Sequence, residues 1–221
     1  MNASAIIVAA GSSQRMGFDK LAAPLAGTPV LERTLEAFLA AACISEIIVV
    51  CSLSRWAGLP HRTFRKPVHR VDGGILRQDS VANGLDALTA DASLVAVHDG
   101  ARPLVSPHDI ARCVAAAGEY RAASLARRVT ETLKRADAGD FCTEAVAREQ
   151  LWFMETPQVF EVTLLRAAYA RVRAQHLEVT DEVSAVQATG ARIKFIESIH
   201  PNPKITRPSD LLLAAAILTN Q

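Results

Sequence analysis

An α/β fold, with a mostly parallel sheet covered by helices on both faces, is predicted by three features of the sequence. Short β-branched runs alternate with helix-period segments. The runs are uninterrupted rather than alternating, as in strands buried on both sides. Half of the 221 residues, 50%, are hydrophobic, which suits one substantial core. A single domain over residues 1–221 is therefore expected.

The elements follow in order. AIIVA places a strand at Ala5 to Ala9, a helix runs from about Pro29 to Ala41, and a strand from Glu46 to Cys51 completes a βαβ beginning. Arg77 to Leu88 reads as the next helix, Ser93 to Val97 as a buried strand and Pro107 to Ala117 as a helix. Between about Thr130 and Glu155 the pattern loosens. There TETLKRADAGDFC carries a turn at Ala138-Gly139-Asp140 between polar strands, which reads as a protruding β-arm. A helix from about Thr163 to Ala174, another near Asp181 to Thr189, a strand at Arg192 to Glu197 and a packed helix after Pro208 return the chain to the body. No internal repeat is visible.

A formal net charge of +1 supplies no global field for nucleic acid or a membrane surface, and neither is expected as a partner. Any anionic ligand must be held by local Lys and Arg. Cys43, Cys51, Cys113 and Cys142 lack CxxC spacing, so reduced, buried thiols in a cytoplasmic protein are expected. The opening apolar run is too short to span a bilayer, and no basic leader precedes it.

Phosphate chemistry enters with AIIVAAGSSQRMGFDK. A strand runs directly into Gly11, Ser12 and Ser13, followed by Arg15, Gly17 and Lys20. Small residues let main-chain N–H groups approach an anion, and the carboxyl end of a parallel strand is where open α/β sheets bind ligands. The dinucleotide fingerprint GxGxxG fails, because Ser13 and Met16 occupy its later glycine positions. The Walker loop fails too, since Phe18 follows Gly17. Arg15 and Lys20 taken singly read as solvated surface charge. Sharing one loop, they suit the stabilisation of a phosphate under attack and a departing pyrophosphate.

VHDGARP closes the strand at Val97 and carries Asp99 and Arg102 to the same sheet edge as the Gly11 loop. Asp99 suits hydrogen bonding to a polyol or support of a metal. Arg102 suits pairing with Asp99 or meeting a phosphate, and a structural Asp–Arg pair is the plainer alternative. His98 reads as packed or hydrogen-bonded rather than as a base. Gly73 and Gly74 in GGILRQDSVANGL expose main-chain groups, and Ser80 lies near a helix start. TDEVSA is fully explained as a helix start with Thr180 as N-cap, and Thr206, Pro208 and Asp210 read as another.

Taken together, AAGSSQRMG with Lys20, GGILRQDSVANGL, VHDGARP, TETLKRAD, LWFMETPQVF, TDEVSA and NPKITRPSDL, in that order, resemble the 2-C-methyl-D-erythritol 4-phosphate cytidylyltransferase family of the non-mevalonate isoprenoid pathway. The likeness covers nearly the whole chain. It implies a Rossmann-like nucleotidyltransferase fold, CTP and a polyol phosphate as substrates, Mg2+ held mainly through the CTP phosphates, and a homodimer joined through the arm. It implies catalytic roles for Arg15, Lys20 and Lys204, and cytosine recognition by Ala9, Ala10, Gly11, Gly74 and Ser80. Acceptor contacts are implied for Asp99, Arg102 and Lys204, and for Thr132 and Arg148 reaching from the neighbouring subunit; no protein ligand to the metal is assigned. The chain departs from the family pattern at Ile75 and Leu76, where a polar or small residue is expected, and at Glu131, where Asp is usual. Ribitol 5-phosphate cytidylyltransferases resemble the same motifs, and a catalytically silent nucleotide-binding module is the alternative of another class.

Overall fold

The structure, a computed structural model, describes residues 2–11, 16–59 and 64–220. In chain order the elements are β1 (Ala3–Val8), β2 (Pro24–Leu25), β3 (Thr28–Pro29), α1 (Val30–Ala40), β4 (Ile44–Val50), α2 (Leu53–Ala57), β5 (Val68–Val71), α3 (Arg77–Asp86) and β6 (Leu94–Asp99). There follow α4 (Pro107–Tyr120), β7 (Ala122–Arg128), β8 (Leu133–Ala136), β9 (Cys142–Val146), β10 (Trp152–Glu161), α5 (Val162–Ala174), α6 (Glu182–Gln187), β11 (Lys194–Glu197) and α7 (Pro208–Thr219).

Among the described residues, seven strands form one sheet in the order β11-β7-β10-β6-β1-β4-β5, in which β10 alone runs against its neighbours. Consecutive residues of the central strands feed two cores, because side chains alternate across a pleated sheet. Ile7, Ile47 and Val49 pack with Leu35 and Phe38 of α1 and Ile110 of α4. Ile6, Ile48 and Val50 pack on the other face with Val81 of α3, Leu165 of α5 and Val186 of α6. This double burial is what the uninterrupted apolar runs encode.

Parallel pairing sets Val8 level with Val50 of β4 and with Asp99 of β6. The loops after β1 and β6 therefore leave the same edge side by side. Side chains fix the starts of α4 and α7. Ser106 accepts from Asp109 N at 3.0 Å, and Asp210 accepts from Thr206 N and Arg207 N at 2.7 and 2.8 Å.

Three expectations need correction. The N-cap of α6 is Asp181 rather than Thr180, since Asp181 Oδ1 accepts from Ser184 N at 2.9 Å. The hairpin β8–β9 closes at the expected turn, with Asp137 N donating to the Phe141 carbonyl at 3.0 Å. Yet Trp152 already pairs with Arg128 in the main sheet, so the excursion ends before Glu155. The helix after Pro208 forms and packs on the core through Leu211, Ala214, Ala215, Ile217 and Leu218, while Leu212, 76% exposed, faces outward. Cys51 and Cys113 are buried while Cys142 lies exposed on the arm, and all four thiols are free.

Candidate active site

At the carboxyl edge of β1 and β6 the chain encloses a cleft of about 630 Å³. Ala9, Ala10, Gly11, Lys20, Gly74, Ser80, Asp99 and Lys204 all line it. Arg15 lies outside the described residues. A second recess of about 460 Å³ adjoins the cleft, with Arg77, Asp99 and Lys204 as the shared wall.

The glycine pair is required by close packing. A Cβ on Gly73 would stand 2.3 Å from the Ala10 Cβ, and one on Gly74 would stand 2.2 Å from the Asp79 Cβ. A side chain at Gly73 would push the two loops apart, and one at Gly74 would push its loop off the first turn of α3. Ser80 Oγ accepts from Gly74 N at 3.0 Å and donates to the Leu76 carbonyl at 3.3 Å. Its hydroxyl thus shapes the loop that faces the cleft. Ile75, 99% exposed, stands with Leu76 along the cleft wall.

Asp99 is the charge centre. Its Oδ2 lies 2.8 Å from Lys204 Nζ and 3.6 Å from Arg102 Nε, and its Oδ1 lies 3.3 Å from Arg77 Nη2. Burial alone would raise its pKa, but Lys204, Arg77 and Arg102 outweigh that and hold the carboxyl well below the usual range. Lys20 Nζ donates to the Ile205 carbonyl at 2.8 Å, and Ile205 N donates to the Ala101 carbonyl at 2.8 Å. These bonds tie the glycine loop, the NPKITRP segment and the end of β6 together.

Three contributors to this wall escape a reading of the sequence. Arg77 donates from Nη1 to Glu182 Oε1 at 2.6 Å and from Nη2 to Glu182 Oε2 at 3.0 Å. Glu182 is fully buried, and Tyr169 OH donates to its Oε1 at 3.0 Å. Burial disfavours the Arg77 charge, yet the Glu182 carboxylate overcomes it and raises the pKa. TDEVSA is thus a helix start and also the anchor of a cleft arginine. A fixed charge opposite Asp99 results.

Thr156, in LWFMETPQVF, is the hinge of a second network. Its Oγ1 accepts from Asp99 N at 3.1 Å and lies 2.9 Å from His98 Nδ1. His98 Nε2 lies 3.1 Å from the Arg102 carbonyl, which can only accept. Nε2 therefore carries the proton, and Nδ1 accepts from the Thr156 hydroxyl. Burial lowers the His98 pKa to about 4, so the ring is neutral and structural, as its packing against Phe38 indicates. Arg102 lines the second recess and is held there by main-chain acceptors. It donates to the carbonyls of Asn202 at 2.7 Å and Met154 at 3.2 Å, and Asn202 Nδ2 donates to the Thr156 carbonyl at 2.8 Å.

Thr132 and Arg148 are exposed on the arm and line neither recess; the Arg148 guanidinium donates to the Thr130 carbonyl. The described residues contain no group of three or more His, Cys, Asp or Glu able to hold a metal ion. The one carboxylate among the described residues lining the cleft, Asp99, is already met by three cations. Such a donor set fits a divalent ion only if phosphate oxygens of the nucleotide supply most of its ligands, which is the usual habit of Mg2+.

Two recesses that share one charged wall suit the joining of two phosphorylated molecules, and on this fold such work defines the class of nucleotidyltransferases. Residues 3–220 match the family described as IspD, 2-C-methyl-D-erythritol 4-phosphate cytidylyltransferase. Relatives bearing that name include one from Synechococcus sp. (strain WH7803), 42% identical over 221 residues, with 98% of this chain and 99% of the relative covered. Another, from Pelotomaculum thermopropionicum, is 38% identical over 222 residues, with 97% and 93% covered. The solved 2-C-methyl-D-erythritol 4-phosphate cytidylyltransferase from Thermus thermophilus matches with a TM-score of 0.83 at 34% identity, covering 99% of this chain and 100% of that one. The chain belongs to the 2-C-methyl-D-erythritol 4-phosphate cytidylyltransferase family.

Proposed function

We propose that this chain transfers the cytidylyl group of CTP to 2-C-methyl-D-erythritol 4-phosphate, releasing pyrophosphate, in isoprenoid precursor synthesis. The observation that carries this reading is the shared wall of Arg77, Asp99 and Lys204 between the glycine-loop cleft and the second recess. CTP occupies the cleft, its base against Ala9, Ala10, Gly11, Gly74 and Ser80, and its phosphates near the loop and Lys20. The acceptor occupies the second recess, with Asp99 accepting from its hydroxyls and Arg102 and Lys204 beside its phosphate.

An acceptor phosphate oxygen attacks the α-phosphorus in line. The new P–O bond forms as the bond to the β-phosphate oxygen breaks, and pyrophosphate leaves with the electron pair. No general base is required, because a phosphate monoester with a second pKa of about 6 is already ionised at neutral pH. Arg15, Lys20 and Lys204 offset the negative charge that gathers around the α-phosphorus and the departing group. Mg2+ entering with the triphosphate would further neutralise its oxygens.

The arm extends this reading to a homodimer, in which Thr132 and Arg148 of one subunit reach the acceptor phosphate of the other. The whole chain acts as one nucleotidyltransferase domain in the cytoplasm. No helix among the described residues is long and apolar enough to cross a membrane.

Pyrophosphate release tests the assignment, with CTP and UTP each supplied alongside 2-C-methyl-D-erythritol 4-phosphate or ribitol 5-phosphate. Turnover is expected with CTP and the erythritol acceptor. UTP should be disfavoured, since a buried polar group left unpaired costs about 1 to 3 kcal/mol. Preference for ribitol 5-phosphate would reassign the acceptor, and binding of CTP without turnover would leave a silent module.

A further inference from the structure

We propose that Arg55 is a positioning residue for the nucleotide, acting through the main chain of the glycine loop rather than by touching the ligand. The proposal rests on the reading of that loop as the CTP site. Arg55 sits on α2, just past β4, and its side chain is only 12% exposed. Its Nη1 donates to the Ala9 carbonyl, its Nη2 to the Gly11 carbonyl at 3.3 Å, and its Nε to Asp19 Oδ2 at 3.0 Å. One guanidinium thus joins the residues that enter the loop to the residue just before Lys20. Ala9, Gly11 and Lys20 line the cleft, whereas Arg55 does not.

The consequence follows from peptide geometry. In a planar trans peptide the C=O and the following N–H point to opposite sides. Drawing the Ala9 carbonyl toward Arg55 therefore turns the Ala10 N–H away from Arg55. Two main-chain carbonyls of the base pocket are thereby held by Arg55, and the Ala10 N–H can donate to the acceptor edge of the cytosine. Asp19 completes the clip. Its Oδ1 accepts from Leu21 N at 3.0 Å, and its carbonyl accepts from Ala22 N and Ala23 N at 3.2 and 3.1 Å. The Arg55–Asp19 pair thereby fixes the main chain from which Lys20 projects. The planar fork of arginine presents three nitrogens to these three acceptors in a fixed geometry, which the single ammonium nitrogen of lysine cannot span.

The test compares wild type with Arg55→Ala, Arg55→Lys and Asp19→Asn by equilibrium CTP binding, by Michaelis constants for both substrates and by thermal melting. Arg55→Ala is expected to weaken CTP binding about 10- to 100-fold, because the ligand must then order a loop that Arg55 otherwise holds in place. The acceptor's Michaelis constant should change little, with Arg55→Lys intermediate and Asp19→Asn smaller in the same direction. If Arg55→Ala does not fold, Arg55→Lys and Asp19→Asn carry the comparison. Unchanged CTP affinity in the folded variants would overturn the proposal, as would equal losses for both substrates that track a falling melting temperature. Wild-type protein that binds no CTP would overturn the reading of the loop, and the positioning role with it.

Discussion

The Lys204 ammonium stands 2.8 Å from Asp99 Oδ2, at the point where the two recesses meet. The pair holds Lys204 beside the position assigned to the reacting phosphates. Lys204→Ala should slow turnover about 100- to 1,000-fold, and Lys20→Ala similarly, with folding intact. Asp99→Asn should also impair turnover by freeing Lys204, and the double variant should be less impaired than the sum of the two single effects, because the residues are in contact. Steady-state kinetics with circular dichroism checks this. Near-normal activity in both lysine variants would contradict the charge assignment.

Removing the Arg77 anchor should act on stability and on turnover together. Glu182→Gln leaves a largely buried guanidinium without its bidentate carboxylate, and breaking such a pair from one side costs about 3 to 5 kcal/mol. Tyr169→Phe removes one hydrogen bond, worth about 1 kcal/mol. Urea titration should rank Glu182→Gln well below Tyr169→Phe. At temperatures where Glu182→Gln remains folded, its activity should still fall, because Arg77 no longer faces Asp99 in one fixed pose.

The buried ring of His98 sets a pH dependence of stability. Its pKa is lowered from 6.5 to about 4 in the folded chain, so between those values the unfolded chain binds the extra proton. Stability from this group is full above pH 6.5 and declines as pH falls toward 4; a difference of that size corresponds to roughly 3 kcal/mol. Asp99 behaves otherwise. Its folded pKa is depressed below 3.8, so its contribution is intact above that value and is lost only in stronger acid. Unfolding free energies at about pH 7.5 and about pH 5 should differ in wild type and differ less in His98→Asn. An equal slope in both would contradict the neutral assignment.

The arm offers a mixing test. If Arg148 serves the neighbour's acceptor site, Arg148→Ala should raise the acceptor's Michaelis constant more than that for CTP. Mixed dimers of Lys20→Ala and Arg148→Ala contain one fully wild-type site, which should restore activity. Mixed dimers confirmed by mass that recover nothing would place both residues in the same subunit's site.

Much of this architecture is legible in the sequence because burial and periodicity coincide. Ile6 and Ile7 announce a strand covered on both faces, and Gly11 and Asp99 follow from where such strands end. The antiparallel β10 is harder to read, because Glu155, Thr156 and Gln158 interrupt its apolar pattern while lying buried. Their polar groups are satisfied by partners that local sequence cannot reveal: Thr156 by His98 and Asp99, and Gln158 by Asp181 and Val183. The Arg77–Glu182 clamp is invisible for the same reason. Each residue reads as an ordinary member of a helix's first turn, and only the sheet order brings α3 and α6 together.

Cytidylyl transfer through the acceptor's own phosphate oxygen is tested most directly by isotope tracing. The acceptor, 2-C-methyl-D-erythritol 4-phosphate with heavy oxygen throughout its phosphate, is incubated with CTP, a divalent ion and the enzyme, and both products are weighed by mass spectrometry. The account predicts a cytidine diphosphate ester of the polyol that retains every heavy oxygen, together with unlabelled pyrophosphate. Heavy oxygen in the pyrophosphate, or pyrophosphate formed without the labelled diester, would contradict it.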